Sequence, residues 1–410
     1  MNILQINSCH YLRGGSETVY FNTSQLLKDH GHSVAFFSSV DDRNEKNDFE
    51  QFFVPFENIR NLSMIRKVKK IPSYLYNKVA VKKLEQLLVT FKPDVAHVHL
   101  FYGVLSVSVL KTLRKHNIPV VHTVHDYRLL CPVNTLLDKD GQICELCKDK
   151  HYFHCLQKRC SDGKFSQSLI VMLEAYLWKY LVNPVDYIDN FIFVSKFIRD
   201  KHLDFNEKFK SKYTQLYNFA NFDQADNSLI KGDYYLFFGR LSSEKGIKTL
   251  LSVFTKRKDQ KLKIAGTGPL KGYIEDLVKN NPNIEYAGFR TGADLESLIK
   301  NASFIIMPSE WYENNPLSLI EAYTFGKPVI GANIGGIPEL IKDGINGFVF
   351  ESGNGESLES KIDASVDIDL SEYISFSKSV CEFAIQNFDR ENHYQRLLKI
   401  YMDVINKKFN

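Results

Sequence analysis

SFIIMPSEWYENNPLSLIEAYTFGKPVIGANIGGIPELIKDGINGF (303–348) is the stretch from which the fold is read. Its first five residues form an apolar run rich in Ile and Phe, as expected of a strand buried on both faces. A polar loop, SEWYENN, follows, and Pro316 opens a run of helical character, PLSLIEAYTF. Proline at the first helical position costs no hydrogen bond, and Asn314 or Asn315 is placed to cap the amides that follow. Gly326 and Pro328 end the helix and VIG (329–331) begins another strand. The unit is therefore strand–loop–helix–strand, with the loop at the carboxyl end of a parallel strand. Open α/β sheets bind ligands there, with helix amides directed at anions.

Within that helix Glu321 stands among Leu319, Ile320, Ala322 and Tyr323. A carboxylate in apolar surroundings needs partners, and the vicinal hydroxyls of a ribose would supply two donors. Glu313, eight positions earlier, is placed to take sugar hydroxyls, while Ser318 and the amides around Asn314, Asn315, Pro316 and Leu317 meet phosphate. The alternative is a solvated Glu313 and a Glu321 paired with a surface lysine. The spacing resembles the Glu-x7-Glu signature of glycosyltransferase family 4. GGIPE (335–339) and DGINGF (343–348) extend the likeness, which covers nearly the whole chain and is densest over 234–350. That family implies a retaining enzyme of the α/β class with GT-B architecture, two Rossmann-like doubly wound domains facing across a cleft.

Working outward, the 410 residues suffice for two domains with a core each, and 44% hydrophobic with 24% charged residues is a globular composition. No apolar run approaches membrane-spanning length. The opening MNILQINSCHY lacks a basic leader and runs directly into a strand, so a cytoplasmic protein is expected. Seven cysteines are then thiols or metal ligands sooner than disulfides. The net charge of +4 is unevenly spread. Residues 60–84 carry eight Lys and Arg, no acid, and interleaved aromatic and aliphatic side chains. Such a stretch fits peripheral contact with an anionic membrane; the alternative is a solvated basic helix face. No nucleic-acid-binding motif accompanies it.

The N-terminal half alternates strands and helices. Strands are expected at 3–7, 33–39, 94–100, 119–125 and 190–195, which argues a parallel doubly wound sheet. Gly14 and Gly15 lie in the turn after the first strand, where missing side chains let backbone amides approach a phosphate. The resemblance places them on the donor's diphosphate. Gly103, in HLFYG, follows another strand and is assigned to the acceptor side with Asp126. His125 ends its strand, and the resemblance gives it contact with the transferred sugar. Cys131, Cys144, Cys147, Cys155 and Cys160 cluster next, and a subset of the family resembles this insert (131–163). Cys144, Cys147, Cys155 and Cys160 have spacing suited to a closed structural zinc site, which would stabilise a loop poor in apolar residues. Five unpaired thiols is the alternative. Residues 165–183 form a strongly apolar helix.

In the second half YYLFFGR (234–240) is a strand ending in Gly239 and Arg240, with Lys245 following. Two cations five apart beside a glycine suit a diphosphate, Arg as a fork and Lys as a point charge; the resemblance assigns them the same role. KLKIAGTGPL (261–270) is a strand with Gly266 and Gly268 in a turn that would admit a nucleotide, and Arg290 lies by the loop expected to pass the base. Past Phe350 the pattern fades until an amphipathic helix at 388–405. Expected domains are 1–219 on the acceptor side, 220–385 for the nucleotide sugar, and 386–410 as a terminal helix crossing back to the first.

These readings give a transferase that moves a sugar from a nucleotide diphosphate, UDP preferred, to a glycan or lipid-linked acceptor hydroxyl. Arg240 and Lys245 take the leaving charge, so no catalytic metal is expected. The Asp-x-Asp strings at Asp138–Asp140 and Asp367–Asp369 follow no buried strand and are read as chance. The rivals are an epimerase or phosphorylase of the same architecture, and a non-catalytic nucleotide-sugar-binding subunit.

Overall fold

The computed structural model describes residues 1–56, 71–220 and 230–409. They form two compact units, 1–216 with 393–410, and 217–392. The boundaries expected from sequence lay a few residues away, at 219/220 and 385/386. The four residues rich in Phe and Tyr at 216–219 are all buried.

The first unit is built on β1 (Asn2–Ile6), β2 (Ser33–Phe37), β3 (Val95–Val98), β4 (Val120–Val124), β5 (Asn190–Phe193) and β6 (Tyr213–Gln215). They pair in parallel in the order β2-β1-β3-β4-β5-β6. From β1 the chain runs outward to β2 and returns to β3 on the other side, so the order reverses at β1. Ligands in such sheets bind beyond the carboxyl ends at that point, where Asn7, Gly14 and His99 lie. The strands are nearly all buried on both faces, hence their continuous apolar sequence. The terminal helix Arg390–Phe409 is joined to this unit from His393 on. Tyr401, fully buried, bonds His97 Nδ1 at 2.6 Å, and Arg396 donates to the Gln215 carbonyl.

The second unit has β7 (Tyr235–Arg240), β8 (Leu262–Thr267), β9 (Ile284–Gly288), β10 (Ile305–Met307), β11 (Val329–Ala332) and β12 (Gly347–Phe350), all parallel in the order β12-β11-β10-β7-β8-β9. The order reverses between β7 and β10, so the loops after them are the ones placed for ligand. Alternate residues of β7 feed two apolar layers, Tyr235 and Phe237 on one face, Leu236 and Phe238 on the other. Two helices, Gly355–Asp367 and Leu370–Phe388, occupy the region where sequence showed no pattern. Asp369 opens the second with a capping box to Glu372. Asp138 accepts the amides of Asp140 and Gln142 and pairs with Lys158, so an acid of each Asp-x-Asp string has a structural use.

Of the basic stretch 60–84, residues 60–70 lie outside the described residues. Asn77 caps the helix Lys78–Phe91, which turns Ala80, Leu84, Leu87 and Leu88 inward. Lys78 and Lys82 are exposed and Lys83 bonds the Gln51 carbonyl. This part is an amphipathic helix docked on its own unit. Among the described residues no helix is long and apolar enough to cross a membrane.

Candidate active site

The loop after β10 carries a dense polar cluster. Glu313, 5% exposed, receives three donors on one oxygen, Oε1: Lys245 Nζ at 2.5 Å, Ser309 Oγ at 2.8 Å and Trp311 Nε1 at 2.8 Å. Burial alone would raise its pKa, but the Lys245 charge and these bonds hold it below the usual range. The carboxylate is thus fixed, with its other oxygen uncommitted among the described residues. Lys245 reaches it from the turn Ser243–Lys245 after β7 and lies 5.4 Å from the Trp311 ring. Gly246 permits that approach, because a Cβ there would fall 1.7 Å from the Pro308 carbonyl oxygen. Sequence placed Lys245 on the leaving diphosphate; here its ammonium is bound to Glu313, since the turn after β7 and the loop after β10 are adjacent.

Gly335 and Gly336 lock this loop from behind. A Cβ on Gly336 would stand 1.9 Å from the Asn314 carbonyl oxygen, and Gly336 donates its amide to the Glu313 carbonyl at 2.7 Å. Asn315 accepts the Asn218 amide at 2.8 Å, and Asn218 Nδ2 returns a bond to the Asn315 carbonyl. Asn315 is therefore no helix cap. The helix runs Leu317–Thr324 with Pro316 as its N-cap and no capping side chain. Its first amides, at Leu317 and Ser318, are left for an anion or water.

Glu321, one turn into the helix, has no bonded side chain among the described residues. Burial pushes its pKa up to about 7. The surface-lysine alternative is not observed. Arg240, at the end of β7, is exposed and makes no ion pair among the described residues. Arg290 lies at 3.8 Å from Asp294, one helical turn away. Gly266 and Gly268 serve packing: a Cβ on Gly266 would lie 1.9 Å from the Gly239 carbonyl oxygen, one on Gly268 2.5 Å from that of Leu241. Close approach of two backbones accounts for both glycines.

In the first unit, Gly14 is extended and Gly15 begins the helix Gly15–Asp29. Glu17, missed by sequence reasoning, fills this corner: it is 3% exposed, bonds Ser16, and burial raises its pKa. Gly103 (φ +72°) makes a turn against Tyr74. Asp126 accepts Tyr102 Oη, the Arg128 amide and Asn134 Nδ2, and burial raises its pKa as well. Arg128 pairs with buried Glu174 of the helix Phe165–Tyr180. His125 is half-buried, with Nε2 2.9 Å from His99 Nδ1.

The four-cysteine zinc site expected from spacing is not seen among the described residues. Among the described residues no group of three or more His, Cys, Asp or Glu is placed to hold a metal. Cys147 and Cys155 instead pack with Tyr152, Leu156, Met172 and Ala175, with Cys160 at the margin. Cysteine is a small hydrophobe in such a site, and burial pushes the Cys147 thiol up to about 12. The insert's scarcity of apolar residues is relieved by the helix beneath it, which its own sequence does not reveal.

The Glycosyltransferase Family 4 model matches residues 13–224, more than half the chain, and the Glycosyl transferases group 1 model matches 220–373. This chain belongs to glycosyltransferase family 4. It is 28% identical over 356 residues to an uncharacterized 42.6 kDa protein in the cps region of Klebsiella pneumoniae, spanning 83% of this chain and 87% of the relative. A glycosyltransferase from Rickettsia africae ESF-5 shares the fold at TM-score 0.70 and 19% identity, over 98% of both chains. Anabaena Alr3699/HepE, solved in complex with UDP, does so at 0.64 and 16%, over 98% of this chain and 100% of that one. The protein is a transferase of GT-B fold.

Proposed function

We propose that this family 4 enzyme is a retaining glycosyltransferase, moving a sugar from a nucleotide diphosphate donor, UDP preferred, to a hydroxyl of a glycan or lipid-linked acceptor. The observation that carries the reading is Glu313, fixed on one oxygen by Lys245, Ser309 and Trp311, beside an uncapped helix that holds Glu321, whose side chain has no partner among the described residues. A fixed carboxylate suits sugar hydroxyls, an uncapped helix end suits phosphate, and a desolvated carboxylate without donors suits a ribose diol. The UDP bound by the Anabaena neighbour favours that nucleotide, and the cps-region relative favours a surface polysaccharide as product.

In the reaction the bond from the sugar C1 to the diphosphate oxygen breaks, and the acceptor oxygen bonds C1 from the same face. The acceptor proton passes to the departing phosphate oxygen. Negative charge grows on the diphosphate as it leaves, so the exposed Arg240 and the Lys245 ammonium act on the transition state. Glu313 holds the sugar and Glu321 the ribose; His125 meets the transferred sugar, and Asp126 and Gly103 belong to the acceptor side. Peripheral contact of residues 60–84 with an anionic membrane is part of the same reading. Incubating the purified chain with UDP-, GDP- and ADP-sugars and detecting released nucleotide diphosphate tests it. Release from one donor, lost in Glu313→Gln, is expected; turnover that requires inorganic phosphate would favour a phosphorylase.

A further inference from the structure

Five cysteines lie in the insert 131–163, and the function above uses none of them. Two of them meet through the backbone. The short helix Phe153–Gln157 ends at Lys158, and Arg159 follows in the left-handed region at φ +49°. The Cys160 amide donates to the Cys155 carbonyl at 3.1 Å, and the Arg159 amide to that of Leu156 at 3.1 Å. These two bonds make a Schellman closure, in which the side chains at the ends of the longer bond, here 155 and 160, touch across the turn. Both are free thiols, and the Cys155 S–H is directed at the Cys160 sulfur. Cys155 is 1% exposed and packs with Leu156, Met172 and Ala175, whereas Cys160 is half-buried at the margin of that cluster. One sulfur of the pair is therefore open to a solute, and the other lies directly behind it.

We propose that Cys155 and Cys160 form an oxidation site, at which a low-molecular-weight disulfide links the two sulfurs reversibly. The Cys160 sulfur attacks one sulfur of the oxidant, whose S–S bond breaks, and the first thiol departs with the proton that Cys160 gives up. Cys155 then attacks Cys160 Sγ, forming the Cys155–Cys160 bond and expelling the second thiol, which takes the Cys155 proton. Two electrons pass from the chain to the oxidant, and one disulfide is exchanged for another. Access sets the order, since of the two only Cys160 can be reached from solvent. The link would also pin Arg159, which stands where a helix end usually has glycine. The site is independent of the functional reading above. Spacing alone reads Cys155 and Cys160 as ligands with Cys144 and Cys147. The turn that pairs them shows only in the folded chain, because an arginine gives no sign of a left-handed residue.

The test is incubation of the full chain with oxidised glutathione, an acid quench, and tryptic mass mapping beside a thiol count under denaturant. Trypsin cuts after Lys158 and Arg159, so the link shows as two fragments held together until a reductant is added. The count is expected to fall by two from the seven cysteines of the chain, with Cys155 joined to Cys160. Cys155→Ala removes the second thiol, and Cys160 should then keep one glutathionyl group. Cys160→Ala should leave Cys155 reduced, because burial shields it. A link between any other two cysteines, a parent that stops at glutathionylated Cys160, or an unchanged thiol count overturns the proposal. So does a purified chain whose cysteines hold a stoichiometric zinc ion and react only after chelation. The parent map decides alone should Cys155→Ala fail to fold.

Discussion

Glu321 is the residue at which structure and function make opposing demands. Its ionised form is desolvated, and its pKa stands near 7. Because the folded pKa lies above the unfolded one, the group costs nothing below about pH 4, where both states are protonated. The cost grows as pH rises and is complete above 7. Glu321→Gln should therefore stabilise the chain by about 3 kcal/mol at pH 8 and by little at pH 4, as thermal unfolding at the two pH values would read. Ribose hydroxyls favour the charged form, so UDP should bind the parent about tenfold more weakly at pH 6 than at pH 8. Glu321→Gln should lose the part of that dependence the carboxylate supplies. At the neighbouring acid, Trp311→Phe keeps the ring but deletes the Nε1–H bond to Glu313. A hydrogen bond to a charged group is worth about 1.5–3 kcal/mol, so kcat/KM for donor should drop by roughly 10- to 100-fold with folding intact. The acids and cations were legible from sequence because polar residues interrupt apolar runs at strand ends. Trp311 and Ser309 were not, since a Trp and a Ser in a loop have many uses and only the folded turn brings them to one oxygen.

At the scale of elements, the acid loop is held by the turn after β7 on one side and by Gly335–Gly336 on the other. Gly336→Ala places a methyl group at the Asn314 carbonyl, and a backbone atom cannot yield cheaply. The variant should lower the unfolding temperature and weaken donor binding together, by several kcal/mol in all if the loop is displaced. Strands buried on both faces could be read as apolar runs. The helices Gly355–Asp367 and Leu370–Phe388 could not, because their buried positions are few and separated by Ser, Lys and Glu. In the cysteine insert spacing suggested ligands, while Met172 and Ala175, which pack against Cys147 and Cys155, lie on the helix Phe165–Tyr180. Cys147→Ala should accordingly be tolerated better than Cys147→Ser, chelator should not shift unfolding, and the Cys147 thiol should resist alkylation at pH 7.5. Chelator-induced unfolding would restore the metal reading.

At the scale of the molecule, alternation of strands and helices sufficed for two parallel sheets, and the reversal of strand order in each marks where ligands belong. The division at 216/217 and 392/393 was approximated only to a few residues, because the aromatic run at 216–219 has the pattern of either unit's core. Contact with anionic vesicles, if residues 60–84 provide it, should vanish as salt rises through the Debye-screening range, and equal binding to neutral vesicles would argue against it. The central claim is that the second unit divides the donor between its two acids, Glu321 on the nucleotide and Glu313 on the sugar. Calorimetric titration of the parent, Glu313→Gln and Glu321→Ala with UDP, and then with the whole donor, tests it most directly. The account predicts that Glu321→Ala loses affinity for both ligands while Glu313→Gln keeps the parent's affinity for UDP and loses only the increment added by the sugar. A Glu321→Ala chain that binds UDP as tightly as the parent would contradict it.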